Sequence, residues 1–146
     1  MEYLDSIIDN LVEYSNTLYE IEFDNNLPFP GFSLSLIDTR YQLRNKIILN
    51  HNLLKNLSIS IIAHIIAHEW GHHIHKHTSV NPIELTDEEK NKIELEADYY
   101  AFNFIKIYKY NITEIINYIK DNHKKNCEKF FKNQNFIEKR LNILYS

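Results

Sequence analysis

The sequence predicts an α+β fold that is mainly helical. Three observations predict it. Apolar residues recur at helical spacing along most of the 146 residues, only 2 glycines and 3 prolines interrupt them, and two short segments alternate apolar with polar residues. A hydrophobic content of 44% and an aromatic content of 13% suffice for a packed core, so one domain over residues 1–146 is expected.

The elements follow in chain order. Leu4, Ile7, Ile8, Leu11, Val12 and Leu18 share a helical face, giving an amphipathic helix that runs to about Tyr19. Residues 24–31, with Pro28 and Pro30, read as a loop. Phe32, Leu34 and Leu36 alternate with serines and predict a strand. Residues 46–50 predict a second strand, joined to the first through a polar hairpin over 38–45. The 46–50 strand is expected to form a sheet edge that takes an extended peptide by strand addition. Isoleucines at 59, 61, 62, 65 and 66 introduce a buried helix over 58–77. Residues 78–85, with Pro82, form a link. Thr86-Asp87-Glu88-Glu89 fits a capping box, which starts a helix over 87–109. Two or three shorter helices end the chain, the last over 136–145.

The chemistry lies in the two long helices. His68-Glu69-Trp70-Gly71-His72 reads H-E-x-x-H. Residues four apart share a helix face, so both imidazoles can reach one metal ion. Glu69 is displaced by about 100° around the axis, which suits a carboxylate that leans on a water bound to the metal. This is the zincin signature of two zinc ligands and a general base. A third protein ligand is required, and Glu94, Asp98 and Glu96 are the candidates. Glu94 and Asp98 share a face beside the small Ala97, whereas Glu96 points about 200° away. Glu94 is assigned as the third ligand, with Asp98 as the alternative and Glu96 behind it. Asp98 then accepts a hydrogen bond from a ligand imidazole and fixes its tautomer. His64, one turn before His68, is read as a core histidine backing the site rather than a ligand. His75 and His77 are read as residues of the helix C-terminus or of the substrate side.

His68-Glu69-Trp70-Gly71-His72-His73, followed by Glu94-Leu95-Glu96-Ala97-Asp98-Tyr99-Tyr100-Ala101, resembles the gluzincin-type pattern H-E-x-x-H…E-x-x-A-[ND]-x-x-A. The resemblance spans about 46–104 and is to the ImmA/IrrE metallopeptidases. HtpX-like membrane metallopeptidases share the pattern, but this sequence lacks their membrane-spanning segments. ImmA/IrrE proteins often carry Asn where this chain has Asp98. The resemblance implies Zn2+ on His68, His72 and Glu94, with Glu69 as catalytic base. It also implies a DNA-binding repressor as the protein that is cut.

The expected reaction is peptide-bond hydrolysis. Zinc makes a bound water acidic, Glu69 takes its proton and later passes it to the leaving amine. Tyr41, His73, Tyr99 and Tyr100 are candidates for stabilising the oxyanion. Two other functions compete: a catalytically silent zinc-binding regulator of the same fold, and a helical interaction module with an accidental motif. Intact Glu69 argues against the first.

Composition excludes other classes. A net charge of −4 gives no electrostatic case for direct nucleic-acid binding. Lys120, Lys124, Lys125, Lys129 and Lys132, interleaved with Phe130 and Phe131, read as a solvated helix face. Cys127 is the only cysteine, so no internal disulfide forms, and no partner pattern marks it as a nucleophile. The acidic N-terminus lacks a signal peptide's basic region, and the apolar run at 59–67 is too short to span a bilayer. A cytoplasmic protein acting on a protein or peptide is expected, with no membrane role.

Overall fold

The computed structural model describes residues 2–79, 82–126 and 134–145. Helix α1 (Glu2–Ser15) leads into strand β1 (Glu20–Phe23), then β2 (Gly31–Ile37) and β3 (Leu43–Leu49). A short helix α2 (His51–Leu54) precedes the long α3 (Ile59–Ile74). Two 3-10 turns (His77–Ser79 and Pro82–Glu84) connect it to α4 (Asp87–Ile107), and α5 (Ile112–Asn126) and α6 (Gln134–Tyr145) follow. The chain is mainly helical with one small sheet, as the sequence predicts. No helix among the described residues is long and apolar enough to cross a membrane. Cys127, Lys129, Phe130, Phe131 and Lys132 lie outside the described residues.

The sheet differs from expectation in two ways. It has a third strand, β1, which pairs parallel to β3 with Ile21 opposite Ile47. The strand order is β1-β3-β2. The 46–50 segment is therefore central, with Ile47 and Leu49 fully buried, and it offers no free edge. The edges are β1 and β2, and β2, the edge beside α3, pairs antiparallel to β3 from Gly31 opposite Leu49 to Ile37 opposite Leu43. β1 escapes the sequence pattern because its four residues are half acidic and pair only over long range. The predicted hairpin joins β2 and β3, but its connection is shorter, 38–42 rather than 38–45, because Leu43, Arg44 and Asn45 already pair with β2.

Local chemistry sets the helix ends. Helix α1 stops at Ser15, four residues short of expectation, because Asn16 turns left-handed (φ 55°). Leu18 is consequently exposed rather than part of the apolar face. Ser58 caps α3 by accepting from the Ile61 amide, and Thr86 and Glu89 form the predicted capping box of α4. Helix α3 ends before Lys76, whose left-handed backbone (φ 59°) reverses the chain.

One buried cluster joins α1, β3, α3, α4 and α5 through Leu11, Leu49, Ile66, Phe102, Ile105 and Ile115. Trp70 is its largest member, and its indole N–H donates to Ser15 Oγ at 3.0 Å. This satisfies the one polar atom of a side chain whose truncation costs about 3–5 kcal/mol. Helices α3 and α4 meet at Gly71 and Ala97. A Cβ on Gly71 would lie 3.1 Å from the Ala97 carbonyl oxygen, tighter than ordinary contact, so glycine eases this close approach. At the start of β2, a Cβ on Gly31 would meet Ile65 Cγ2 at 3.3 Å and Glu69 Cγ at 3.4 Å, which presses the edge strand against α3.

Candidate active site

Where α3, α4 and β2 converge, the residues singled out in the sequence come together. His68 Nε2 lies 2.9 Å from Glu94 Oε2 and 3.1 Å from His72 Nε2. Glu94 Oε1 lies 3.4 Å from His72 Nε2. These spacings can be compared with a tetrahedral zinc site. Zn–N and Zn–O bonds of roughly 2.0–2.1 Å place neighbouring ligands about 3.3 Å apart. The three side chains therefore already sit at the spacing an ion requires. Among the described residues two groups could hold a metal: His68, His72 and Glu94, and separately His75, His77 and Glu96.

The outward nitrogens of the two histidines are both engaged. His68 Nδ1–H donates to Asp98 Oδ1 at 2.8 Å, and Asp98 is completely buried. Arg140 on α6 grips the same carboxylate through Nε and, at 3.0 Å, through Nη2. The Asp98 and Glu94 positions thus differ in kind. Glu94 faces both Nε2 atoms and keeps 44% of its side chain accessible, while Asp98 reaches only the far side of His68. His72 Nδ1 lies 2.9 Å from His77 Nδ1, and His77 Nε2–H donates to Glu96 Oε2 at 3.1 Å. A carboxylate or imidazole behind a ligand histidine sets its tautomer and raises its basicity.

Charge and burial fit this wiring. Burial alone would lower the His68 pKa, but Asp98 and Glu94 outweigh it and raise it to about 10. Burial would raise the Glu94 and Asp98 carboxyls, but His68 and His72 pull Glu94 well below the usual range, and Arg140 with His68 does so for Asp98. His64 is fully enclosed. Its ring stacks on Phe102 (13°, 5.1 Å between centroids), its Nδ1 has no hydrogen-bond partner among the described residues, and burial pushes its pKa down to about 3. It lies beside His68, with ring centroids 6.2 Å apart.

Glu69 projects on the β2 side of the cluster. The Ser33 hydroxyl lies 2.8 Å from the Glu69 carbonyl oxygen and 2.7 Å from its Oε2. One serine on the edge strand thus ties down both the backbone and the carboxylate. Two cavities share Glu69 and Glu94 as walls. One, of about 480 Å³, runs along β2 past Phe32, Leu34, Ile93 and Lys90 to His77. The other, of about 330 Å³, is bounded by Phe29, His64, Tyr118, Asn122 and Arg140. A larger depression of about 900 Å³ lies at the hairpin end, around Arg40 and Arg44, and none of the cluster residues lines it.

Sequence reasoning missed Ser33, His77's contact with His72, Tyr118 and Arg140. Arg140 carried no distinguishing signal, since it directly follows Glu138 and Lys139 in the last helix. The four oxyanion candidates line neither cavity. Tyr41 sits exposed in the hairpin turn, and Tyr99 is also exposed. His73 Nε2–H donates to the Lys46 carbonyl at 2.7 Å, behind the sheet, and the Tyr100 ring packs against Tyr14.

Two histidines from one helix and a glutamate from the next, meeting between an edge strand and two cavities, define a hydrolase-like centre able to hold a metal ion. The chain belongs to the peptidase U49 family, whose sequence profile matches residues 3–126. It is therefore a peptidase by family, and a protein or peptide is its substrate class. The narrower ImmA/IrrE likeness rests on the shared motif alone. No curated protein and no solved structure gives a significant match.

Proposed function

We propose that the chain is a zinc-dependent endopeptidase that cuts an extended segment of one protein partner. The observation that carries this is the spacing of 2.9, 3.1 and 3.4 Å among His68, His72 and Glu94, with Glu69 beside them. Two imidazoles and a carboxylate with room for water are a catalytic zinc donor set. Zinc held there would make a water acidic and polarise the scissile carbonyl. Glu69, whose carboxylate stands beside the cluster, would serve as the proton acceptor for the attacking water and as the donor to the leaving amine. Ser33 holds the Glu69 carboxylate toward the cleft. Asp98 and His77 keep the His68 and His72 rings turned with Nε2 inward. Asp98 is thus a support and not a ligand, and His64 is an apolar-side wall of the same site.

An extended substrate fits along the free edge of β2. Its main chain would pair with the strand, and its side chains would enter the cavities on either side of Glu69. The apolar wall of Phe32, Leu34 and Ile93 favours an apolar side chain there. An edge strand accepts unfolded segments, so a linker or exposed loop is the target rather than a folded surface. The ImmA/IrrE resemblance implies a DNA-binding repressor as that partner. With one cysteine and no need of disulfides, the chain suits a reducing compartment such as the cytoplasm.

The test compares wild type with Glu69→Gln. Both should fold and hold one zinc per chain, and site-specific fragments of a co-expressed repressor should appear with wild type alone. Equal fragmentation by both forms would overturn the role of Glu69. Loss of zinc from Glu69→Gln would make that residue a ligand. Efficient digestion of casein would argue against a dedicated partner.

A further inference from the structure

We propose a second divalent-metal site at His75, His77 and Glu96, specific for a borderline transition metal such as Zn2+ and coupled to the first site through the His72–His77 hydrogen bond. The coupling, though not the second site, rests on His72 being a ligand of the first. His77 Nε2 lies 3.1 Å and His75 Nδ1 3.8 Å from Glu96 Oε2. The donor atoms of the three residues all fall within 4.8 Å of one another. Neighbouring ligands of tetrahedral zinc are about 3.3 Å apart, so small side-chain movements would close the site. The backbone prepares it. The reversal at Lys76 stacks the His75 and His77 rings at 14° with centroids 5.4 Å apart, both facing the α4 surface that carries Glu96.

The donor set selects the ion. Two imidazoles and one carboxylate suit Zn2+, Co2+ or Cu2+ and are a poor match for Mg2+ or Ca2+, which prefer oxygen. His75 and Glu96 are each 38% exposed, so an ion can reach the site directly from solvent and water can complete its coordination. The exposed His75, 3.8 Å from Glu96, makes the site weaker than the one at His68, His72 and Glu94, whose two histidine side chains are only 12% and 11% exposed.

The sign of the coupling follows from hydrogen-bond geometry. A metal on His72 Nε2 leaves that ring's hydrogen on Nδ1, facing His77 Nδ1 at 2.9 Å. His77 must then accept, and its own hydrogen lies on Nε2, toward Glu96. A metal on His77 Nε2 displaces that hydrogen to Nδ1. Two N–H groups then face each other, and one ring must turn away. Each ion therefore weakens the binding of the other, and the effect is reciprocal. Surplus zinc would consequently oppose the ion of the first site from behind His72.

Calorimetric titration of the full chain with Zn2+ tests this, alongside the absorption spectrum of the Co2+ form. Two binding events are expected, the second weaker. His75→Ala, at a half-exposed position, should remove the weaker event and leave the stronger one and the melting temperature unchanged. Glu96→Gln should weaken the second event in the same way. His68→Ala should remove the stronger event and tighten the other by about tenfold, within the usual range of coupling between sites. A single event in wild type, or a second event that survives both His75→Ala and Glu96→Gln, would overturn the site. Unchanged second-site affinity in His68→Ala would overturn the coupling. If His68→Ala removes nothing while His75→Ala does, the catalytic-site reading fails and the second site stands.

Discussion

Replacing Asp98 by Asn isolates the support of a ligand from the ligand itself. Asparagine keeps the shape and one acceptor oxygen, so the His68 N–H can still be bound, but the negative charge is lost. Asp98 has no solvent exposure and bridges His68 Nδ1 at 2.8 Å and Arg140 Nη2 at 3.0 Å. Breaking a buried ion pair by removing one partner costs about 3–5 kcal/mol. The Arg140 side chain retains 21% exposure, so the lower end, about 3 kcal/mol, is expected. In a chain of this size that is a drop of roughly 10 °C in melting temperature. Zinc affinity should fall about 10- to 100-fold, the usual effect of losing a partner behind a ligand histidine. Glu94→Gln removes a direct donor and should weaken zinc further while costing less stability. The assay is zinc competition against a chromophoric chelator, with melting of the metal-free proteins followed in parallel. Asp98→Asn that loses zinc while Glu94→Gln keeps it would exchange the two roles. Wild-type zinc affinity in Asp98→Asn would refute the idea that this hydrogen bond tunes the site.

Ser33→Ala should lower kcat about tenfold or more at unchanged zinc content, since a hydrogen bond to a charged group contributes about 1.5–3 kcal/mol; unaltered turnover would dismiss the serine as a positioning residue. Gly71→Ala gains about 1 kcal/mol of helix propensity but drives a methyl to 3.1 Å from the Ala97 carbonyl oxygen and Tyr100 Cβ. Overpacking of about 1–3 kcal/mol should outweigh that gain, so both melting temperature and zinc affinity should fall. His64 holds its proton only below about pH 3 when folded but from 6.5 when unfolded, so stability falls as pH drops through that window. His64→Leu should flatten the dependence between pH 6.5 and 4.5 by up to about 1.4 kcal/mol per pH unit, and an unchanged slope in metal-free melting would count against a buried neutral imidazole.

The parts legible in the sequence are those governed by short-range rules. The phase of the isoleucines, the Thr86–Glu89 capping box and the i, i+4 spacing of His68 and His72 each follow from one helix. Glu94 was readable because a second helix with its own cap placed it on the face beside Ala97. The Gly71 contact could have been read too, since a glycine in mid-helix facing an alanine elsewhere signals close approach. The remainder depends on contacts between distant segments. Arg140 reaches Asp98 across 42 residues, and Ser33 reaches Glu69 across 36. β1 is held by a parallel ladder to β3, and that ladder makes β3 the central strand. The 46–50 segment is interior rather than an edge for this reason alone.

The two histidines of the centre are supported unequally, and this inequality has a chemical consequence. Behind His68 stands a buried carboxylate locked by an arginine, an arrangement with one charge state over the whole physiological range. Behind His72 stands a second imidazole, whose own carboxylate is 38% exposed. The first support is closed off from solvent at the carboxylate, while the second ends in a carboxylate open to it. Any solution condition that acts on the centre from outside should therefore act through His72 and leave His68 in place. The fixed side is built by α4 and α6 and shapes the smaller cavity through Arg140. The adjustable side is built by the turn after α3 and shapes the cavity along β2 through His77. His77 both lines the β2 cavity and contacts His72, so, with the proposed function, filling that cavity should alter zinc affinity at His72, and unchanged affinity with a cavity-bound peptide would refute this link.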